Sequence, residues 1–189
     1  KEYYLTEVVE IAYKNNLQTD LIHIDEQEIL GVNSREDLAL AEKIIQTKLR
    51  HFFLNKGVTL IDPETNYFSY DTIIKKDVTI FPNVFIGEGV KIDSGSSILS
   101  FCHLENCYIK KNVSIGPFAR IRGNTVLNEK NKIGNFVELK NVISGKEVKI
   151  NHLSYMGDTL IGKSSNIGAG SITCNYDGHK KNKTLIGSN

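Results

Sequence analysis

A ladder of aliphatic residues spaced six apart constrains this chain more than any other feature. Ile74, Ile80, Ile86, Ile92, Ile98 and Leu104 form one unbroken register. After a step of five, Ile109, Ile115, Ile121, Leu127, Ile133 and Leu139 form the next. Many rungs carry a glycine directly after the aliphatic, as in Ile86-Gly87, Ile115-Gly116, Ile133-Gly134, Ile161-Gly162 and Ile167-Gly168. A period of six matches neither the 3.6 of an amphipathic helix nor the 2 of a half-buried strand. It is the repeat of a parallel β-helix, in which short strands and turns wind around a narrow core. Each rung turns one aliphatic inward, and stacked coils merge those side chains into a continuous column. The residue that follows sits near a corner, where glycine adopts dihedrals that a Cβ obstructs. Strands of a sandwich have no reason to be so evenly spaced.

The 189 residues leave room for one large or two small folding units. Lys and Arg number 23 against 22 Asp and Glu, a net charge of +1. No global field selects nucleic acid or an anionic membrane, so anion binding must come from a local cluster. Cys102, Cys107 and Cys174 are odd in number and lack a metal-type spacing; they read as small buried or turn residues in a reducing compartment. No apolar run approaches the roughly 18 residues of a membrane span. The chain starts at Lys1 and its last segment, Leu185-Ile186-Gly187, begins another rung. It reads as a piece of something longer, so the lack of a targeting signal carries no weight.

The segment before Ser34 follows another pattern. Thr6 is placed to cap a helix through Glu7-Val8-Val9-Glu10-Ile11-Ala12-Tyr13 that fades at Asn15-Asn16. Leu21-Ile22-His23-Ile24 follows as a short strand, with His23 a partly exposed strand residue. One helix and one strand cannot bury a core, which marks the tail of a larger α/β domain. Ser34 with Asp37 makes a capping-box-like start to a helix whose apolar stripe is Leu38, Ala41, Ile45, Leu49 and Phe52, broadened by Ile44 and Phe53. Gly57 is its stop. Glu42, Lys43, Lys48 and Arg50 read as its solvated face.

The β-helix begins near Val58. Its first half is chemically quiet, whereas the second half is dense in Arg120, Arg122, Asn135, Glu138, Lys140, His152, Tyr155, Asn166, Asn175, Tyr176 and Lys181. Arg122 and Lys140 are 18 apart, so an unbroken register stacks them on one face. With about 4.8 Å between parallel strands, both cations could grip one phosphate; a solvated basic face is the competing reading.

Longer motifs add a resemblance. GPFARIR at Gly116–Arg122, IGNFVELK at Ile133–Lys140, HLSYMGD at His152–Asp158 and NIGAGSITCNYDG at Asn166–Gly178, with the earlier EYYLTE and GVNSR, resemble one family over essentially the whole chain. It is the bifunctional bacterial N-acetylglucosamine-1-phosphate uridyltransferase/glucosamine-1-phosphate acetyltransferase family. The resemblance implies a mainly β protein: residues 1–35 as the tail of a Rossmann-like uridyltransferase domain, 36–56 as a linker helix, and 57–189 as a left-handed β-helix acetyltransferase domain, incomplete at its C-terminus. It implies UDP-N-acetylglucosamine synthesis. Glucosamine-1-phosphate is acetylated from acetyl-CoA, and N-acetylglucosamine-1-phosphate then receives the uridyl group of UTP with Mg²⁺, in a cytoplasmic homotrimer feeding cell-envelope precursors. By motif position, His152 matches the general base, and Arg122, Lys140, Tyr155 and Asn166 match substrate ligands. Ala169, Asn175 and Tyr176 match acetyl-CoA contacts, Lys181 adds charge near that site, and Asn33 matches a nucleotide-sugar and metal contact. Where the family has Arg-Pro-Gly, this chain has Arg122-Gly123-Asn124, and the freed backbone leaves the aim of Arg122 open.

These residue types suit the implied chemistry. An amine attacks a thioester only as the free base, and an imidazole is suited to take its proton near neutral pH. Main-chain N–H groups of the Gly168-Ala169-Gly170 turn are candidates to hold the developing oxyanion. Two rivals are another hexapeptide acyltransferase with a different acceptor and a non-catalytic β-helix scaffold. A β-helix carbonic anhydrase needs a three-histidine cluster that these histidines do not supply.

Overall fold

A computed structural model describes residues 4–189; Lys1 to Tyr3, with the start of the EYYLTE motif, lie outside the described residues. Two units are distinguished, and the division falls inside a helix, between Ile44 and Ile45.

In the N-terminal unit, helix α1 (Glu7–Lys14) buries none of its residues. The expected cap is not made: Thr6 is itself helical, at φ −60° and ψ −24°, and a capping side chain needs an extended residue. The helix does end at Asn15, where Leu17 N–H reaches back to Ala12 O at 2.9 Å. Leu21–Ile24, expected as a strand, is irregular and exposed. A strand needs a neighbour for its N–H and C=O groups, and the described part of this unit contains no other strand. Helix α2 (Arg35–Asn55) opens on the expected box. Ser34 Oγ accepts from Asp37 N–H at 3.1 Å, and Asp37 Oδ2 accepts from Ser34 and Asn33 N–H at 2.9 and 3.0 Å.

The second unit starts with the last turns of α2. Their inward face matches the expected stripe only in part: Phe53 is buried and Leu49 packs on the core, but Gln46 and Arg50 are also buried, whereas Ile45 and Phe52 are exposed. Arg50, expected in solvent, is 9% exposed. The reason is the open end of the solenoid, where Tyr67–Phe68 is the last strand of its sheet. Its backbone groups must be paired or stay wet. Gln46 stands in for the missing strand, donating to Phe68 O at 2.7 Å and accepting from Phe68 N–H at 2.9 Å. Arg50 donates to Asn66 O and Glu64 O at 3.0 and 3.1 Å. Phe53 closes the apolar column, its ring 4.9 Å from that of Phe68. Gly57, at φ +82°, ends the helix as expected.

From Thr59 to Ile186 the chain winds through short strands that build three parallel sheets of seven, six and seven strands. Ile80 pairs with Ile98 and Ile98 with Ile115, coils of 18 and then 17 residues; the shorter coil is the ladder's step of five. All twelve ladder residues lie in the core, at 6% exposure or less. In the third sheet the next inward position is Ser144, and it is buried. Its Oγ accepts from Asn128 N–H at 3.1 Å and from the Asn131 amide, whose Oδ1 takes Val148 N–H at 2.7 Å. The polar break in the column is thus satisfied.

The corners differ. Two are lined by residues such as Asn106, Asn141 and Asp158, or Asp77, Asn112 and Ser164, all at positive φ. The corner between the first and second sheets instead holds Phe101, Phe118, Phe136 and Leu153, at φ +46° to +62°. Left-handed backbone is uncommon for bulky side chains. The three rings stack at 4.9 and 5.2 Å, yet all four residues are 45–63% exposed.

Candidate active site

The late coils bring most of the sequence-marked residues together in two places. On the second sheet, Arg122 pairs in register with Lys140, and Lys140 with Gly157. Gly123, in place of the family's proline, has φ +68°, which a proline ring cannot adopt. The turn nevertheless keeps the ladder, because Arg122 O accepts from Asn141 N–H at 3.1 Å. The guanidinium is aimed by Glu138, whose Oε1 takes Arg122 Nε–H at 2.7 Å. That leaves the terminal N–H groups of the fork for an anion. Arg120 approaches the same carboxylate at 3.9 Å and Glu105 at 3.5 Å, so carboxylates and guanidiniums alternate along this face.

Beyond Lys140 the column continues with Gly157, which is buried. A Cβ on Gly157 would lie 2.5 Å from the Tyr155 hydroxyl and 2.6 Å from Asn175 Nδ2. Only glycine lets these two polar groups close over the rung beside Lys140. Asn175 Nδ2 donates to Asp158 Oδ2 at 2.5 Å, and Asn141 Nδ2 donates to Asp158 Oδ1 at 2.6 Å. These donations, from Asn141 first and Asn175 next, hold the Asp158 carboxyl below the usual range, with Lys181 and Lys140 adding a smaller pull. Lys140, Tyr155, Asn175 and Lys181 therefore share one neighbourhood with Asp158 at its centre. Asp158 and Glu138 lie within the quoted motifs, but nothing in their spacing gives either a role.

The second place is the end of the first sheet. His152 pairs with Asn135 in register, and its Nδ1 lies 3.0 Å from Asn135 Oδ1. Gly134 makes this approach possible, since a Cβ there would meet Asn151 O at 1.9 Å. The groove beside His152 is lined by Gly116, Pro117, Phe118, Asn135 and Phe136. The Gly168-Ala169-Gly170 turn reaches the same histidine: Gly170 N–H donates to His152 O at 3.3 Å, so that N–H is not open to an oxyanion.

Asn166 pairs with Lys149 on the first sheet. Tyr176 bridges to Lys181, is exposed, and its hydroxyl donates to Gly178 O at 2.7 Å. Asn33 belongs to the N-terminal unit. It supplies one side-chain oxygen, whereas Mg²⁺ demands near-octahedral coordination. Among the described residues no group of three or more His, Cys, Asp or Glu could hold a metal, so the described residues do not make up a magnesium site. Cys102 and Cys107 are buried, and desolvation pushes their thiols up to about 11 and about 12; Cys174 is exposed. No described helix is long and apolar enough to cross a membrane. A larger apolar concavity lies between α2 and the first coil, lined by Leu49, Phe52 and Ile73, and carries none of the marked residues.

The chain is 54% identical to the bifunctional protein GlmU of Wolbachia pipientis wMel, over 100% of this chain and 44% of that protein. It is 53% identical to the bifunctional protein GlmU of Gluconobacter oxydans strain 621H, over 98% and 42%. It thus spans less than half the length of the curated relatives it matches. Among solved structures it resembles the acetyltransferase domain of PglB from Neisseria gonorrhoeae FA1090, in complex with acetyl coenzyme A. The TM-score is 0.50 over 66% of this chain and 62% of that one, at 15% identity, a likeness of fold alone. No protein-family model matches the chain.

Proposed function

Because this chain belongs, along its own length, with the bifunctional GlmU proteins, we propose that its late coils move the acetyl group of acetyl-CoA to the amine of glucosamine-1-phosphate. One observation carries the reading: Arg122 and Lys140 stand in register on one face, and the next rung is Gly157, with Tyr155 and Asn175 closing over it. Two adjacent cations on one face suit a sugar phosphate, the cations taking the phosphate oxygens and the Tyr155 hydroxyl facing the ring. Asn166 would extend the sugar contacts, and Ala169, Asn175, Tyr176 and Lys181 those to acetyl-CoA.

The reaction then follows from the groups. His152 removes a proton from the attacking amine as the new N–C bond forms. The Ala169 N–H is the candidate donor to the oxyanion. Collapse of the tetrahedral centre breaks the C–S bond, and the imidazolium returns its proton to the departing thiolate. The N-terminal unit with Asn33 would be the end of a uridyltransferase domain using UTP and Mg²⁺, converting N-acetylglucosamine-1-phosphate to the UDP-sugar. The exposed Phe101–Phe118–Phe136–Leu153 corner suits burial against further copies in a homotrimer, which offsets its strained backbone. A cytoplasmic location fits these substrates.

The test is an acceptor panel on the full-length protein that carries this chain. Glucosamine-1-phosphate should be acetylated with a KM roughly 10–100-fold below that of unphosphorylated glucosamine, the size of a charge-assisted contact. Arg122→Ala and Lys140→Ala should each remove most of that preference. Equal use of both sugars would point to a different acceptor, and no acetylation of any amine would point to a scaffold.

A further inference from the structure

We propose that Asn135 is a positioning residue that fixes the tautomer of His152, keeping Nε2 bare as the proton acceptor. The inference rests on His152 as the base and adds how the base is prepared. The strands Lys132–Asn135 and Lys149–His152 run in register, so each side chain of one strand stands beside its partner on the next. Asn135 Oδ1 faces His152 Nδ1 at 3.0 Å. An amide oxygen only accepts, so this contact is favourable when Nδ1 carries a hydrogen and repulsive when Nδ1 carries a lone pair. The other nitrogen decides nothing here; the neutral ring has one proton, and Asn135 claims it for Nδ1.

The acceptor is itself held in place. Asn135 is half-buried, its main-chain O accepts from Leu153 N–H at 3.1 Å, and Phe136 N–H donates to Phe118 O at 3.1 Å. Gly134 brings the two strands close enough for the pair to meet. The chemical point is that the partner is neutral. A carboxylate at this place would also hold Nδ1–H, but its charge would stabilise the imidazolium and keep the base protonated to higher pH. An amide orients the ring without that effect. The neighbourhood supplies no substitute: the residues lining the groove beside His152 are Gly116, Pro117, Phe118, Gly134, Asn135, Phe136 and Asn151, none of them ionisable. The charged groups on these two strands are Lys132 and Lys149, three residues back, about 10 Å along the strand.

The experiment compares the full-length protein with its Asn135→Asp, Asn135→Leu and His152→Ala forms. Asn135→Asp changes one atom, so it should fold; the acidic limb of its acetyl-transfer rate–pH profile should move up by about one unit. Asn135→Leu, of like size and without an acceptor, should lose about tenfold in kcat with KM little changed, a fraction of the roughly 10²–10⁴-fold expected for loss of the base itself. In ¹⁵N-histidine spectra above pH 8, His152 of the parent should show Nδ1 protonated and Nε2 bare, and the Leu form should shift toward the opposite tautomer. A parent His152 protonated at Nε2, or an Asp form whose acidic limb stays where it was, overturns the positioning role. If His152→Ala acetylates at the parent rate, the reading of the base fails instead, and the spectra still decide whether Asn135 sets the tautomer.

Discussion

The coils before Gly116 and those after it are built on the same inner column and carry opposite outer faces. Ile80, Ile86, Ile98 and Leu104 in the first set are no more exposed than Ile121, Leu127, Leu139 and Ile150 in the second. Yet a single outer column of the second sheet runs from Tyr67, Phe85 and His103 to Arg120, Glu138 and Tyr155. Its first three rings pack together, at 4.7 and 4.6 Å between centroids, and its later members are the oppositely charged Arg120 and Glu138, followed by Tyr155. The neighbouring column, past the inward residue, goes from Gly87 and Glu105 to Arg122, Lys140 and Gly157. A parallel solenoid fixes what points inward and where each outer side chain stands, but not what it is. Chemistry can therefore change from coil to coil without altering the fold.

The sharpest way to break this contrast is to delete one histidine from each region. His152→Ala in the full-length protein should slow acetyl transfer by roughly 10²–10⁴-fold. His103→Ala, which removes a ring packed on Phe85, should change it by less than about threefold, within the range of surface substitutions. The uridyl transfer proposed for the N-terminal domain would serve as the internal control, and it should be the same in both. Comparable losses from the two variants would mean that the late coils hold no privileged base.

The inner column should show no such asymmetry. Ile98→Ala and Leu139→Ala each remove a side chain with 0% exposure, and each should cost about 2–5 kcal/mol. Chemical denaturation of the two variants should give midpoints displaced by similar amounts. A late-coil variant far more damaging than its early counterpart would tie the polar outer face to the integrity of the column.

This division also explains what the sequence made legible. The ladder positions were readable because packing admits only apolar groups there, and all twelve are inside. Register let Arg122 and Lys140 be placed side by side from spacing alone. The inward side of α2 is legible only in part, at Leu49 and Phe53, because apolar periodicity assumes an apolar surface beneath it; the open coil also presents backbone groups, so Gln46 and Arg50 are buried and Phe52 is not. The Leu21–Ile24 strand failed for a related reason, its local pattern having no sheet to join. Ser144 carries no signal in the ladder: a serine in an aliphatic column is tolerated because Asn128 and Asn131, both outside the quoted motifs, turn toward it. Asn135 and Asp158 were visible as letters, but their partners are 17 residues away in sequence, and only the coil length joins them.

The smallest effect should come from acid, and it distinguishes the two regions by what each carboxylate holds. Asp71, in the early coils, accepts from Gly89 N–H at 2.7 Å, and that bond, with Ser69 helping, keeps its carboxyl low. Asp158 is kept low mainly by the Asn141 and Asn175 amides. For both, the folded pKa is depressed, so their contribution to stability is present above the unfolded value near 3.9 and is lost as pH falls through the lower folded value. Asp71 staples two coils that are already laddered on three sheets. Asp158 holds Asn175, in a segment where regular pairing has lapsed between Asn166–Ile167 and Thr184–Ile186. Below about pH 4, amide exchange corrected for its intrinsic rate should therefore rise first in residues 171–183, while the early coils stay protected. Asp158→Asn should loosen the same segment at neutral pH and leave it insensitive to acid. If residues 171–183 exchange alike at pH 6 and pH 3 in the parent, the Asp158 carboxylate is not what closes the last coil.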